Sequence, residues 1–460
     1  MNKQDKKELR QQIACEWLEE NYLNYGSLRH DVVTDRLQIK AYKPTPSPSL
    51  NGGEEGDGLL AIGNRQETWR NLTDKDINTM VCNCVEETQV NISVTEMWTA
   101  LKSDMVPAVH PLRAWLDGLR PYTADQPDWI DMVAQQVRVK PSGEEAKGDK
   151  ARGEELWRAC FKKWFVAMVA SWMKDEVVNH TVLVLVGRQG IFKTTWLDKL
   201  IPPELRAYSS KLPLSGQISK DDRLRLCENG MLNIDELDAM CGREMNIVKS
   251  LLTSTDVNER AAYGRLKERR VRLASFCAST NKREFLTDIT GNRRWLPFEV
   301  ESIQNPFHTI IPYERLYAQA KALVEEGIFS YWFDMEEMEV LEAHNEEFRA
   351  LENEEQLLPI LFDIPAEGKG EFMTTAEISD KLVTYGGIKK PMNSRKLGML
   401  LSKRGYTKRT MYISGTMVRG WIVYQREADE IKLVKKRENI LTSLQPLLKI
   451  HARAYVSFIK

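Results

Sequence analysis

The stretch that most constrains this chain is TVLVLVGRQGIFKTTWLDKL, residues 181–200. Thr181 and the five apolar residues after it show no polar alternation, which suits a strand buried on both faces. Gly187 ends that run, and Gly190 follows in a short loop. Lys193 and Thr194 then open a helical pattern with Trp196, Leu197 and Leu200 on one side, closed by Pro202 and Pro203. Strand, glycine loop, Lys-Thr and helix is the layout of a phosphate-binding loop. Backbone N–H groups wrap the β-phosphate, the lysine reaches the β- and γ-phosphates, and the hydroxyl ligates Mg²⁺. The expected cofactors are therefore ATP and Mg²⁺. The expected phosphate-binding residues are Gly187, Arg188, Gln189, Gly190, Ile191, Phe192, Lys193, Thr194 and Thr195, with Thr194 also a metal ligand. Phe192 stands where the pattern has its last glycine; like any non-proline residue it keeps the N–H the loop needs.

The chain downstream supplies the groups such a loop requires. MLNIDE, residues 231–236, reads as an apolar strand ending in two carboxylates. Asp235 would hold the Mg²⁺ shell and Glu236 would orient or deprotonate the attacking water. A third strand, residues 273–280, ends in Asn281, and a polar residue at that end of an α/β sheet lies beside the nucleotide. The loop GNRRW follows, and Arg293 or Arg294 is either an ion-pair donor or the charge that stabilises phosphoryl transfer in a neighbouring subunit. Between the second and third strands lies VNERAAYGRLKERRVRL, residues 257–273, read as a β-hairpin with basic flanks. It holds six basic and two acidic residues between Glu259 and Arg272, and Gly264 interrupts it.

The flanks divide the rest. Residues 1–109 read as an α+β region opened by an amphipathic helix with Leu9, Ile13, Trp17 and Leu18 at helical spacing, and holding a Pro/Ser/Gly-rich loop at 43–58. Residues 110–327 form the nucleotide domain with its helical lead-in. Trp157, Phe161, Trp164, Phe165, Met168 and Trp172 lie at helical spacing, a stripe better suited to a core than to ligand binding. Residues 328–371 are acidic, with twelve carboxylates against one arginine over 334–368, and read as a helix followed by a linker from about residue 358. Residues 373–427 swing to eleven basic against three acidic residues, and two helices followed by a hairpin suggest a winged-helix-like unit over 372–427. Its recognition helix would carry Arg395 and Lys396, with Lys403 and Arg404 at its end; a basic tail, 428–460, follows.

The net charge of −1 says nothing about partners, so any nucleic-acid surface is local. No run of about 18 apolar residues suits a membrane span. Scattered cysteines suit reduced thiols, and the expectation is a soluble cytoplasmic protein.

Taken together, HPLRAWLDGL, the tryptophan-rich helix, LVGRQGIFKTTW, LNIDELD, YGR with its flanking arginines, CASTN and TGNRRW resemble the virulence-associated protein E family of phages and mobile elements. That family is related to the superfamily 3 helicases of the AAA+ class. The resemblance covers residues 110–300, and 372–424 resembles the extra module of Bacteroidetes-type members. It implies an α/β P-loop ATPase core with a mixed α/β N-terminal region and a small C-terminal winged-helix-like domain. It implies a DNA helicase or translocase in replication of a mobile element, the alternative being an ATP-switched initiator or regulator without unwinding. Asn281 would then be the sensor of the γ-phosphate. Arg293 or Arg294 would be an arginine finger acting across a homo-oligomeric ring, expected to be a hexamer. Arg260, Arg265 and Lys267 would grip single-stranded DNA in the central channel. Duplex DNA and a separate primase remain open as further partners.

Overall fold

A computed structural model describes residues 3–43, 66–141, 150–212, 219–235, 237, 242–259, 268–287, 292–366, 370–389, 391–413 and 415–434. The architecture is mixed α/β, and the chain divides into two compact units, 1–283 with 293–344 and 284–292 with 345–460.

The first unit is built on a six-stranded sheet. Its order is Val137–Val139, Trp295–Ile303, Val182–Val186, Ser275–Thr280, Met231–Ile234 and Ser209–Lys211. The last five run parallel and the first is antiparallel. Val182–Val186 is buried at every residue, as its unbroken apolar run requires at the centre of a parallel sheet. Because the five are parallel, the chain leaves Val186, Ile234 and Thr280 at one edge, where an open α/β sheet binds ligands.

The helix Lys150–Met173 supplies the packing against this sheet. Its six aromatic-stripe residues named above are all buried. Each indole N–H finds a carbonyl: Trp157 donates to Ala134 at 2.9 Å, Trp164 to Phe276 at 2.9 Å and Trp172 to Gly230 at 3.1 Å. The stripe is therefore core, and truncating one of these rings to alanine costs about 3–5 kcal/mol.

The N-terminal part of this unit carries a four-stranded sheet in the order Gln66–Asn71, Arg36–Lys43, Leu28–Asp31, Ala108–Val109. Helices Lys3–Leu18, Asp74–Thr88 and Val94–Leu101 accompany it; Ala14, Trp17, Ile77, Met80 and Met97 lie in its core. A buried network ties it to the larger sheet. Asp31, fully buried, accepts from the Tyr208 hydroxyl at 2.9 Å, and Gln38 donates to both.

In the second unit, helices Asn353–Leu361, Thr375–Gly386 and Ser394–Lys403 share a core with Trp421 and Val423. The strand Thr416–Gln425 pairs antiparallel with Phe362–Asp363, Glu371–Met373 and Thr407–Ile413. The first residues of the linker expected from residue 358 are instead ordered: the helix Asn353–Leu361 and the strand Phe362–Asp363 cover 358–363. Leu358, Leu361 and Phe362 are buried in this core, and within the acidic run Arg349 donates to Glu355 at 2.6 Å.

Candidate functional site

The phosphate loop follows its strand directly. A Cβ on Gly187 would lie 3.1 Å from Ile191 Cδ1 and 3.2 Å from the Val300 carbonyl, so a side chain there would press its neighbours aside. Gly190 has φ +83, a backbone that glycine adopts freely. Phe192 also has φ +67 and immediately precedes the helix Lys193–Asp198. The glycine of the pattern is thus replaced without a change of backbone region.

Lys193 is buried, and its ammonium donates to the carbonyls of Gly187 and Arg188, each at 2.7 Å, and to Asn281 Oδ1 at 3.1 Å. Thr194 Oγ1 donates to Asp235 Oδ1 at 3.2 Å and lies 2.9 Å from Ser279 Oγ, which itself donates to Asp235 at 3.2 Å. Lys211 reaches Asp235 Oδ2 at 2.7 Å. Partial burial pushes the Asp235 carboxyl up, but the Lys211 ammonium and the Ser279 and Thr194 hydroxyls outweigh it, leaving it below the ordinary carboxylate value. Lys193, Thr194, Asp235, Ser279 and Asn281 share a cleft of about 350 Å³ with Gln189, Gly190, Phe192 and Thr195. Ile191 packs its side chain against the core, while the Arg188 side chain is exposed.

A strand, a loop and two further strand ends therefore bring Lys193, Thr194, Asp235 and Asn281 together. A triad of oxygen donors from Thr194, Asp235 and Ser279 fits a hard divalent cation, and amides with a lysine fit a phosphate chain. Glu236 lies outside the described residues. Sequence reading missed Ser279 and Lys211. Strand alternation places Ser279 on the face of Asn281, two residues on, so its signal was present. Lys211 ends a three-residue strand in a polar stretch and gave none.

Arg293 and Arg294 stand elsewhere. They close the short turn Asn292–Arg294 just before Trp295, and Trp295 is in register with Val182, the first residue of the phosphate-loop strand. Four residues of strand, about 13 Å, therefore separate them from the edge that carries Gly187. They line a second cleft, of about 650 Å³, with Asn179, His180, Tyr331 and Trp332.

The basic hairpin is present at its base, where Asp256–Glu259 and Glu268–Val271 pair antiparallel. Arg260, Arg265 and Lys267 lie outside the described residues. Two arginines anchor the base. Arg270 pairs with Asp35 at 3.1 Å, and Asp35 lies 2.9 Å from His30. Arg272, with no exposed surface, donates to the carbonyls of Leu251, Leu252 and Ser254, of Ala274, and of Asn179. Burial pulls its pKa down to about 9.

In the second unit the basic residues of Ser394–Lys403 part company. Lys396 pairs with Glu352, Lys403 with Glu346, and Arg404 lies 3.8 Å from Glu355. Arg395 instead lines an open cleft of about 360 Å³ with Lys408 and Arg419. All of Thr407–Ile413 is exposed, Tyr412 by 74%.

The fold and site define a class: an α/β domain with a glycine loop and a Lys-Thr pair at the carboxyl edge of a parallel sheet. Residues 149–350 match the family model of the virulence-associated protein E-like domain. None of the curated proteins matches the chain. Among solved structures, the apo structure of the NrS-1 C terminal region covers 87% of this chain and 97% of its own, with 11% identity and a TM-score of 0.41. An A-form apo structure of the same region covers 88% and 98%, with 12% identity and a TM-score of 0.40. Among the described residues no helix is long and apolar enough to cross a membrane.

Proposed function

We propose that the chain is an Mg²⁺-dependent P-loop ATPase of the AAA+ type that acts on DNA as a helicase or translocase, in replication of a phage or mobile element. The observation that carries this reading is the convergence of Lys193, Thr194, Asp235 and Asn281 on one cleft at the carboxyl edge of the sheet. The loop amides and Lys193 hold the phosphates. To do so the ammonium exchanges the carbonyls of Gly187 and Arg188 for phosphate oxygens. Thr194 and Asp235, with Ser279 beside both, would hold Mg²⁺, which when bound offsets charge on the transferred phosphoryl group. Glu236 orients and deprotonates water, and Asn281 positions it against the γ-phosphate.

Arg293 and Arg294 sit at the opposite edge of their own sheet, which favours action on a neighbouring copy in a closed ring, a hexamer. The second unit runs helix, two short strands, helix, helix, hairpin; its last helices and hairpin suit a winged-helix-like unit and support DNA contact through Arg395 with Lys408 and Arg419. A separate primase would complete the machinery.

The test is ATP turnover with and without single-stranded DNA, paired with strand displacement. Lys193→Ala should lose nucleotide binding and turnover together. Glu236→Gln should keep ATP bound while turnover collapses, and normal hydrolysis by that variant would remove Glu236 from its role. Turnover without strand displacement would favour an ATP-switched initiator.

A further inference from the structure

Phe192 has a left-handed backbone that bulky residues avoid. Strain of this kind gathers at ligand sites, where the surroundings over-determine it. Its ring lines the phosphate cleft and meets Phe307 edge-on, with centroids 6.2 Å apart at 78°. Phe307 lies just past Trp295–Ile303, the parallel neighbour of the phosphate-loop strand, so both rings stand at the carboxyl edge.

The segment around Phe307 is pinned in place. Lys199, just past the phosphate-loop helix, donates to the Pro306 carbonyl, and its ammonium lies 4.5 Å from the Phe307 ring centroid. The Tyr313 hydroxyl donates to the Lys199 carbonyl at 2.7 Å. Asn305 Oδ1 accepts from the Phe307 N–H at 3.0 Å. Despite these ties Phe307 is 69% exposed and Ile310 is 86% exposed. The chain thus spends anchoring contacts on an aromatic ring that it leaves open to solvent beside the phosphate cleft.

We propose that Phe307, braced by Phe192, is the platform on which the base of the bound nucleoside triphosphate stacks. This rests on the nucleotide reading above. A triphosphate held by Lys193 and Thr194 carries its nucleoside out of the loop, and Phe192 is the aromatic side chain lining that cleft. The favoured ligand is a purine nucleoside triphosphate, whose base offers the larger face to an open ring. The replacement of glycine by phenylalanine then serves binding rather than impairing the loop.

The test compares the Kd of ATP with that of inorganic tripolyphosphate, both with Mg²⁺, on the full chain. Phe307→Ala should weaken ATP about tenfold and leave tripolyphosphate unchanged, while Phe307→Trp should keep ATP affinity. A Phe307→Ala chain that binds ATP normally, or that loses both ligands equally, overturns the platform. Lys193→Ala separates the two readings: if it binds both ligands normally, the nucleotide site itself fails; if it loses both while Phe307→Ala loses neither, only the platform fails.

Discussion

The two edges of the six-stranded sheet are unlike. At the carboxyl edge a lysine bonds an amide, and two hydroxyls and a carboxylate bond one another, all in one cleft. At the amino edge stand two arginines in an open cleft, with the length of a strand between them and the phosphate loop. In the first set every group is held by another, so the loop is ordered before a ligand arrives. The arginines line a face that a neighbouring copy can use. On the function proposed above, a catalytic charge kept off its own site would make turnover conditional on assembly.

The largest expected effect tests that division. Arg294→Ala should lower ATP turnover about 10³-fold while ATP still binds, and mixing it with Lys193→Ala subunits should restore activity. Mixed assemblies, verified by mass, that stay inactive would place the arginine's role within its own subunit.

A smaller effect is expected at Lys211. Its ammonium on Asp235 competes with any divalent cation for the carboxylate. Lys211→Ala should therefore tighten Mg²⁺ in a titration of nucleotide binding by a few-fold, and a weakened Mg²⁺ response would show that the lysine assists the metal site instead.

The smallest effect concerns the root of the hairpin. The hydrogen bond to Asp35 raises the His30 pKa above its ordinary value, so its contribution to stability is full below the unfolded value of about 6.5 and is lost as pH rises through the folded one. His30→Gln should lower the melting temperature at about pH 5.5 and leave it unchanged at about pH 8. Equal losses at both would mean packing, not charge, ties His30 to Asp35 and Arg270.

The parts that were legible in the sequence share one cause. Val182–Val186 and the Trp157–Trp172 stripe declare themselves because burial on both faces, or along one helix face, leaves a periodic apolar signature. Asp235 and Asn281 were readable because each directly follows such a strand. What escaped depends on partners distant in sequence. Residues 358–361 looked like the start of a linker because Pro359 disguises the end of the helix Asn353–Leu361; Glu354 and Glu355 are buried in that helix because the Met392 N–H and Arg349 meet them. Lys396, Lys403 and Arg404 looked like a nucleic-acid face, yet carboxylates some 44 to 57 residues away in the chain face the first two.

Arg272 has a mechanical consequence. One buried guanidinium clamps the end of a helix, the lead-in to the phosphate-loop strand and the chain just past the hairpin strand Glu268–Val271. A displacement of the strand Glu268–Val271 would thus reach both neighbours through one rigid planar fork. Lysine at this point would keep the charge and lose the stiffness, uncoupling the strand from both.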